Sequence, residues 1–150
     1  MSDYAIDLNG IAEREGIRVR YDKGERLDSG LDGMIRRLDD GSVEIIINAV
    51  RPETRQRFTL AHELGHYFLG HLKEIPCFRD STKSYDVYHY DPKEVAANRA
   101  AAALLMPEKL VRHLILDKGV NRVSELARLL NVSEQAMRIR LKQLGIISNG

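Results

Sequence analysis

The sequence predicts an α+β fold: a short helix, a small sheet, then helices to the C-terminus. Three observations carry this prediction. Ile17-Arg18-Val19-Arg20-Tyr21 alternates apolar and polar residues, the period of a half-buried strand. Asp40-Gly41 lies between two apolar runs and is a two-residue hairpin signal. From Pro52 onward the apolar residues recur at helical spacing.

Taken in order, residues 4–15 carry Tyr4, Leu8, Ile11 and Ala12 at helical spacing, with Gly16 as the stop. The strand at 17–21 follows. Residues 22–33 are turn-rich, with Gly24, Gly30 and Gly33, and 34–38 form a weaker strand. Residues 43–48 hold three consecutive isoleucines, which suits a strand covered on both faces. Pro52 and Glu53 open a helix expected to run to about Leu72, because proline fits the first turn and an acid favours its positive end. Residues 73–91 read as a long loop, a kind of segment that is often functional. Asp91-Pro92 starts an alanine-rich helix that Pro107 ends after Met106, and 108–117 form another. Ser124 and Ser133 are expected to cap two short helices, with Asn131 in a left-handed turn between them and Met137 and Leu141 facing inward. Residues 1–117 are thus expected to form one domain. Residues 118–150 are expected to add helix-turn-helix-like helices packed on it.

Composition bounds the function. At 150 residues, with 43% hydrophobic and 30% charged residues, the chain is an ordinary globular domain rather than a disordered one. The one cysteine, Cys77, excludes an intrachain disulfide and points to a reducing compartment. No apolar run approaches the ~18 residues a bilayer span needs. Met1-Ser2-Asp3-Tyr4 is polar and acidic, unlike a signal peptide. A cytoplasmic protein without a membrane partner is expected. The net charge of +1 excludes a chain-wide basic field for nucleic acid. Residues 118–150 are locally basic: Lys118, Arg122, Arg128, Arg138, Arg140 and Lys142 face only Glu125 and Glu134. That asymmetry permits phosphate contact, but a solvated helical face has the same composition. A structural or partner-docking role is the leading expectation there, and DNA binding the lesser one.

His62-Glu63-Leu64-Gly65-His66 carries the chemistry. Residues four apart on a helix lie within ~40° of each other, so both imidazoles can share one metal ion. Glu63 lies ~100° round from His62, where a general base can take a proton from a metal-activated water. A zinc ion needs a third protein ligand. His71 lies five residues after His66, about 140° round the helix, and reads as a surface histidine. Glu94 is the better candidate, one turn into the next helix on a face with Ala97, Asn98, Ala101 and Leu105. The alanines would let the two helices approach closely. Asn98 could support the ligands from behind.

Arg57-Phe58-Thr59-Leu60-Ala61-His62-Glu63-Leu64-Gly65-His66, then Glu94, Ala97-Asn98 and Ala100 to Pro107, resembles the ImmA/IrrE family of zinc metallopeptidase-like proteins. Ile46-Ile47-Asn48 also fits that pattern, and the resemblance covers roughly residues 5–110. One departure is Ala100, where the family usually has phenylalanine. The resemblance implies a zincin-like fold, Zn2+ held by His62, His66 and Glu94, and Glu63 as the catalytic base. It also implies a protein substrate, such as a helix-turn-helix repressor or an antitoxin. Tyr85, Tyr88, His89 and Tyr90 are candidate donors to the developing oxyanion. The leading expectation is an intracellular zinc-dependent endopeptidase cleaving a specific regulatory protein. The alternative is a non-enzymatic regulator or toxin-type protein of the same fold that binds DNA or a protein partner.

Overall fold

The computed structural model describes residues 4–81 and 91–148. The chain forms two compact units, one spanning Asp7–Ala101 and the other made mainly of residues from Ala102 onward.

The first unit is a four-stranded sheet with helices. α1 (Leu8–Arg14) starts later than the apolar spacing from Tyr4 suggests. Asp7 fixes the start, because its carboxylate accepts the Gly10 N–H at 3.0 Å. β1 (Arg18–Asp22) and β3 (Val43–Asn48) follow as expected, while β2 (Leu31–Arg37) begins three residues earlier than expected, inside the segment read as turn-rich; Gly41 has a φ of 87° in the β2–β3 turn. The order is β1-β3-β2-β4, with β1 parallel to β3 and the other pairs antiparallel.

β3 is buried throughout, as its isoleucine run requires. Its neighbours explain the two faces. Ile46 pairs with Met34 and packs with Leu27 on one side of the sheet. Ile45 and Ile47 pair with Ile35 and Gly33 on the other side. Leu27 reaches its place because Asp22 anchors the preceding loop. Its carboxylate accepts the backbone N–H groups of Gly24, Glu25, Arg26 and Leu27 at 2.9–3.2 Å.

α2 (Glu53–Phe68) is shorter than its periodicity suggests. Gly70, at φ 77°, turns the chain out of the helix before Leu72, and a single 3-10 turn covers His71–Lys73. Every residue from Thr59 to His66 is buried. The expected loop at 73–91 contains a strand, β4 (Cys77–Ser81), which pairs with β2 at the sheet edge. This corrects the sequence reading. A five-residue strand whose buried positions are Phe78 and Asp80 shows no apolar alternation, so periodicity cannot find it. Between β2 and β4 the register shifts at Asp32, with Leu31 opposite Ser81 and Gly33 opposite Asp80. Such a bulge re-aims the side chains that follow it. Asp32, side chain fully buried, accepts from Arg51 at 2.9 Å and from Arg55 at 2.9 and 3.2 Å, tying the bulge to α2.

The division between units falls within α3 (Pro92–Leu105), which opens with the Asp91 carboxylate accepting the Lys93 N–H at 2.9 Å. The second unit continues with α4 (Glu108–Leu116), α5 (Val123–Leu130) and α6 (Glu134–Gln143). Ser133 caps α6 as expected, accepting the Ala136 N–H at 3.1 Å. Ser124 does not cap α5; Arg122 occupies the cap position and Ser124 lies inside the helix. Asn131 takes the left-handed conformation between the two helices, and Met137 and Leu141 are buried. Among the described residues no helix is long and apolar enough to cross a membrane.

Candidate metal centre

α2 supplies three of the four residues singled out from sequence. His62, Glu63 and His66 are all 0% exposed on its enclosed segment, and their neighbour Gly65 is the reason α3 comes so close. A Cβ built at Gly65 would lie 2.9 Å from the Ala97 carbonyl oxygen and 3.1 Å from the Ala100 Cβ. The approach brings Glu94, from the first turn of α3, onto both imidazoles. Its carboxylate oxygens lie 2.6 Å from His66 Nε2 and 3.3 Å from His62 Nε2.

The imidazoles are held from behind. His62 Nδ1 donates to Asn98 Oδ1 at 2.7 Å, so the ring, once it has lost its second proton, presents the lone pair of Nε2 to the cluster. His66 Nδ1 meets His71 Nδ1 at 2.8 Å, and the His66 ring stacks on Phe78 with centroids 4.1 Å apart. His71 is half-buried, and the turn at Gly70 returns it to His66, which its helical angle did not suggest. Burial, with His66 and Lys93 nearby, lowers its proton affinity. In the tautomer that leaves His66 Nε2 free for a metal, His66 Nδ1 donates and His71 Nδ1 accepts.

Asp80 carries no mark in the sequence that singles it out. From β4 it enters the same cluster, 1% exposed, with Oδ1 3.4 Å from His62 Nε2 and Oδ2 3.8 Å from His66 Nε2. One donor atom from each of His62, Glu63, His66 and Asp80 lies within 4.8 Å of all the others. Gly33 makes room for this meeting. A Cβ there would stand 2.5 Å from Thr59 Cγ2 and 3.4 Å from Glu63 Oε2. An acid at a buried strand position was the signal available, but it is visible only once the strand is known. Tyr85, Tyr88, His89 and Tyr90 lie outside the described residues.

The electrostatics are those of charges crowded without water. Burial lowers the proton affinity of His62, but Asp80 and Glu94 outweigh it and raise the group from 6.5 to about 9. Burial, with Asp80 and Glu94 nearby, holds Glu63 well above the usual carboxyl range. Asp80 is pushed up by burial, yet its contacts with His62, Glu63 and Glu94 bring it well below that range.

Both oxygens of Glu63, both oxygens of Asp80, His66 Nε2 and Glu94 Oε1 are buried without a hydrogen bond, the 2.6 Å contact between the last two being an ion-pair contact only. Six such atoms around one point are costly unless something shared satisfies them. Nitrogen and oxygen donors of this kind fit a divalent cation such as zinc. Donors about 2.1 Å from a tetrahedral metal stand about 3.4 Å apart. His62 Nε2 meets that spacing, 3.3 and 3.4 Å from Glu94 and Asp80, whereas His66 Nε2 stands 2.6 Å from Glu94 and 3.8 Å from Asp80.

A small sheet packed on the helix that carries both histidines is a zincin-like domain. Residues 12–142 match the IrrE N-terminal-like domain of peptidase family M78, and the chain belongs to that family. It is 39% identical over 95 residues to the radiation response metalloprotease IrrE of Deinococcus radiodurans, covering 61% of this chain and 28% of that protein. The corresponding metalloprotease of Deinococcus deserti is 42% identical over 93 residues, covering 59% of this chain and 32% of its own length. The chain thus spans less than a third of the length of these curated relatives. Among solved structures, a Mycobacterium tuberculosis transcriptional regulator shares the fold with a TM-score of 0.60. It is 18% identical, and the match covers 90% of this chain and 39% of that one.

Proposed function

We propose that the chain is a zinc-dependent endopeptidase domain in which His62, His66 and Glu94 hold the metal and Glu63 is the general base. The observation that carries this reading is the convergence of the two imidazole Nε2 atoms and the Glu94 carboxylate, with the unpartnered Glu63 carboxyl alongside. A bound zinc ion would acidify a water molecule and polarise the scissile carbonyl. Glu63 then accepts the proton from water and delivers it to the leaving amine. Its buried, carboxylate-lined surroundings give it the proton affinity such a shuttle needs. Asn98 and His71 orient the two imidazoles so that the Nε2 atoms face the centre.

The substrate in this reading is one regulatory protein, such as a helix-turn-helix repressor or an antitoxin, met in the cytoplasm, where the lone Cys77 stays reduced. Residues 118–150 serve as a helical appendage for docking. Their local basic charge favours a second reading, in which the zincin-like domain is a regulator that binds DNA or a partner without cleaving it. Glu63→Gln separates the two. It should leave zinc binding and fold intact and lower proteolysis by about 10²–10⁴. The assay is co-expression with the neighbouring gene product, followed by a gel for fragments. Equal cleavage by wild type and variant removes Glu63 from the mechanism. An unchanged biological response without any cleavage favours the regulator.

A further inference from the structure

We propose that Asp80 is a fourth protein donor to the metal and closes the centre in the resting protein. The proposal rests on the metal-centre reading above. Three observations point to it. Asp80 is 1% exposed, and neither of its oxygens has a hydrogen-bond partner. Among the described residues its ion contacts are with His62 and His66, the same two imidazoles that Glu94 contacts. Its distances to them, 3.4 and 3.8 Å, are those of a neighbouring ligand on a shared ion rather than of a hydrogen bond.

Charge leads to the same place. Two neutral imidazoles and the single carboxylate of Glu94 leave a divalent cation with one positive charge uncompensated in a buried site. Asp80, with its carboxylate beside both imidazoles, supplies a second negative charge to the site. The backbone is built for this. The bulge at Asp32 sets Asp80 opposite Gly33, and Gly33 has no side chain to stand between β4 and Glu63. Phe78 and Asp80, two residues apart on β4, then share the face towards α2, one stacked on His66 and the other aimed at both rings. A site with four protein donors is closed, whereas catalysis at such a metal needs an open position. Asp80 must therefore give way before a water or a carbonyl oxygen can enter.

The test uses the full chain loaded with cobalt(II), whose visible spectrum reports the number and kind of ligands. Wild type should bind one cobalt, and thiocyanate should leave its spectrum unchanged. Asp80→Ala should bind cobalt at least ~10-fold more weakly. Its spectrum should shift on adding thiocyanate, and acetate should restore the wild-type form. Asp80→Asn keeps the shape and serves if the alanine variant does not fold, with circular dichroism of the metal-free proteins as the check. A wild-type spectrum that responds to thiocyanate as the variants do overturns the proposal, whatever the affinities. It leaves the metal centre itself standing. Absence of stoichiometric cobalt from wild type overturns both.

Discussion

Gly65→Ala tests the close approach on which the site depends. In the middle of an unconstrained helix this change stabilises by about 1 kcal/mol, because alanine loses less backbone freedom than glycine. In α2 the new methyl would stand 2.9 Å from the Ala97 oxygen, 3.3 Å from the Ala97 Cα and 3.1 Å from the Ala100 Cβ. Two of those atoms are backbone and cannot rotate away. Ordinary contacts to carbon need about 3.5–4.0 Å, so α3 must retreat by several tenths of an ångström. Overpacking of this kind costs about 1–3 kcal/mol. Set against the propensity gain, the net is a loss of about 1 kcal/mol, which in a chain of this size lowers the melting midpoint by about 2–4 °C. Glu94 and Asn98 sit on either side of Ala97 on the retreating helix, so zinc affinity should fall as well. Thermal unfolding followed by circular dichroism and a chelator-competition titration measure the two effects. A higher midpoint with unchanged zinc affinity would show that α3 has slack at Gly65 and that the packing argument is wrong.

Other perturbations follow from the same geometry. Asp32→Ala leaves Arg51 and Arg55 without their shared acceptor. Because both arginines are partly exposed, the cost should be about 2–4 kcal/mol in urea unfolding, below that of a fully buried pair. In the metal-free protein His62 is raised from 6.5 to about 9, so the stability it contributes is complete below 6.5 and disappears as pH rises through about 9. Zinc affinity should run the other way, rising about tenfold per pH unit towards 9, since the imidazolium proton must leave before zinc binds; isothermal titration at three pH values checks both the sign and the slope. DNA affinity should be weak, confined to residues 118–150 and strongly salt-dependent, and tight sequence-selective binding in a mobility shift at physiological salt would contradict this.

β1 was legible from its period-2 alternation, β3 from its isoleucine run, and the helices from helical spacing together with their prolines, alanines and serines. The convergence of His62 and His66 was legible because a four-residue helical spacing puts both rings on one face. Glu94 and Asn98 could be placed from the helical face they share with Ala97 and Ala101, and both alanines are fully buried. What stayed hidden came from tertiary structure. β4 is stabilised by pairing with β2 and carries a charged residue at a buried position, so no local pattern marks it. Asp80 enters the cluster only through that pairing and the bulge. The cap of α5 was misplaced because a serine within the first turn has the same sequence signature as one at the cap.

The end of α2 shows how a departure from periodicity can belong to the site. Had the helix run on to Leu72, His71 would stand about 140° round from His66 and point away from it. Gly70 takes a left-handed φ of 77°, and the following 3-10 turn carries His71 back until the two Nδ1 atoms are 2.8 Å apart. A residue with a Cβ is disfavoured in that conformation by about 1–2 kcal/mol, so glycine is the residue that makes the return easy. The consequence reaches the metal centre through one hydrogen bond. When His66 Nδ1 donates to His71 Nδ1, the His66 lone pair is left on Nε2, facing Glu94. Asn98 does the same for His62 from α3. The two imidazoles are therefore oriented by partners from different elements, one beyond the helix end and one on the facing helix. The shortness of α2 is part of what makes its two histidines usable as a pair.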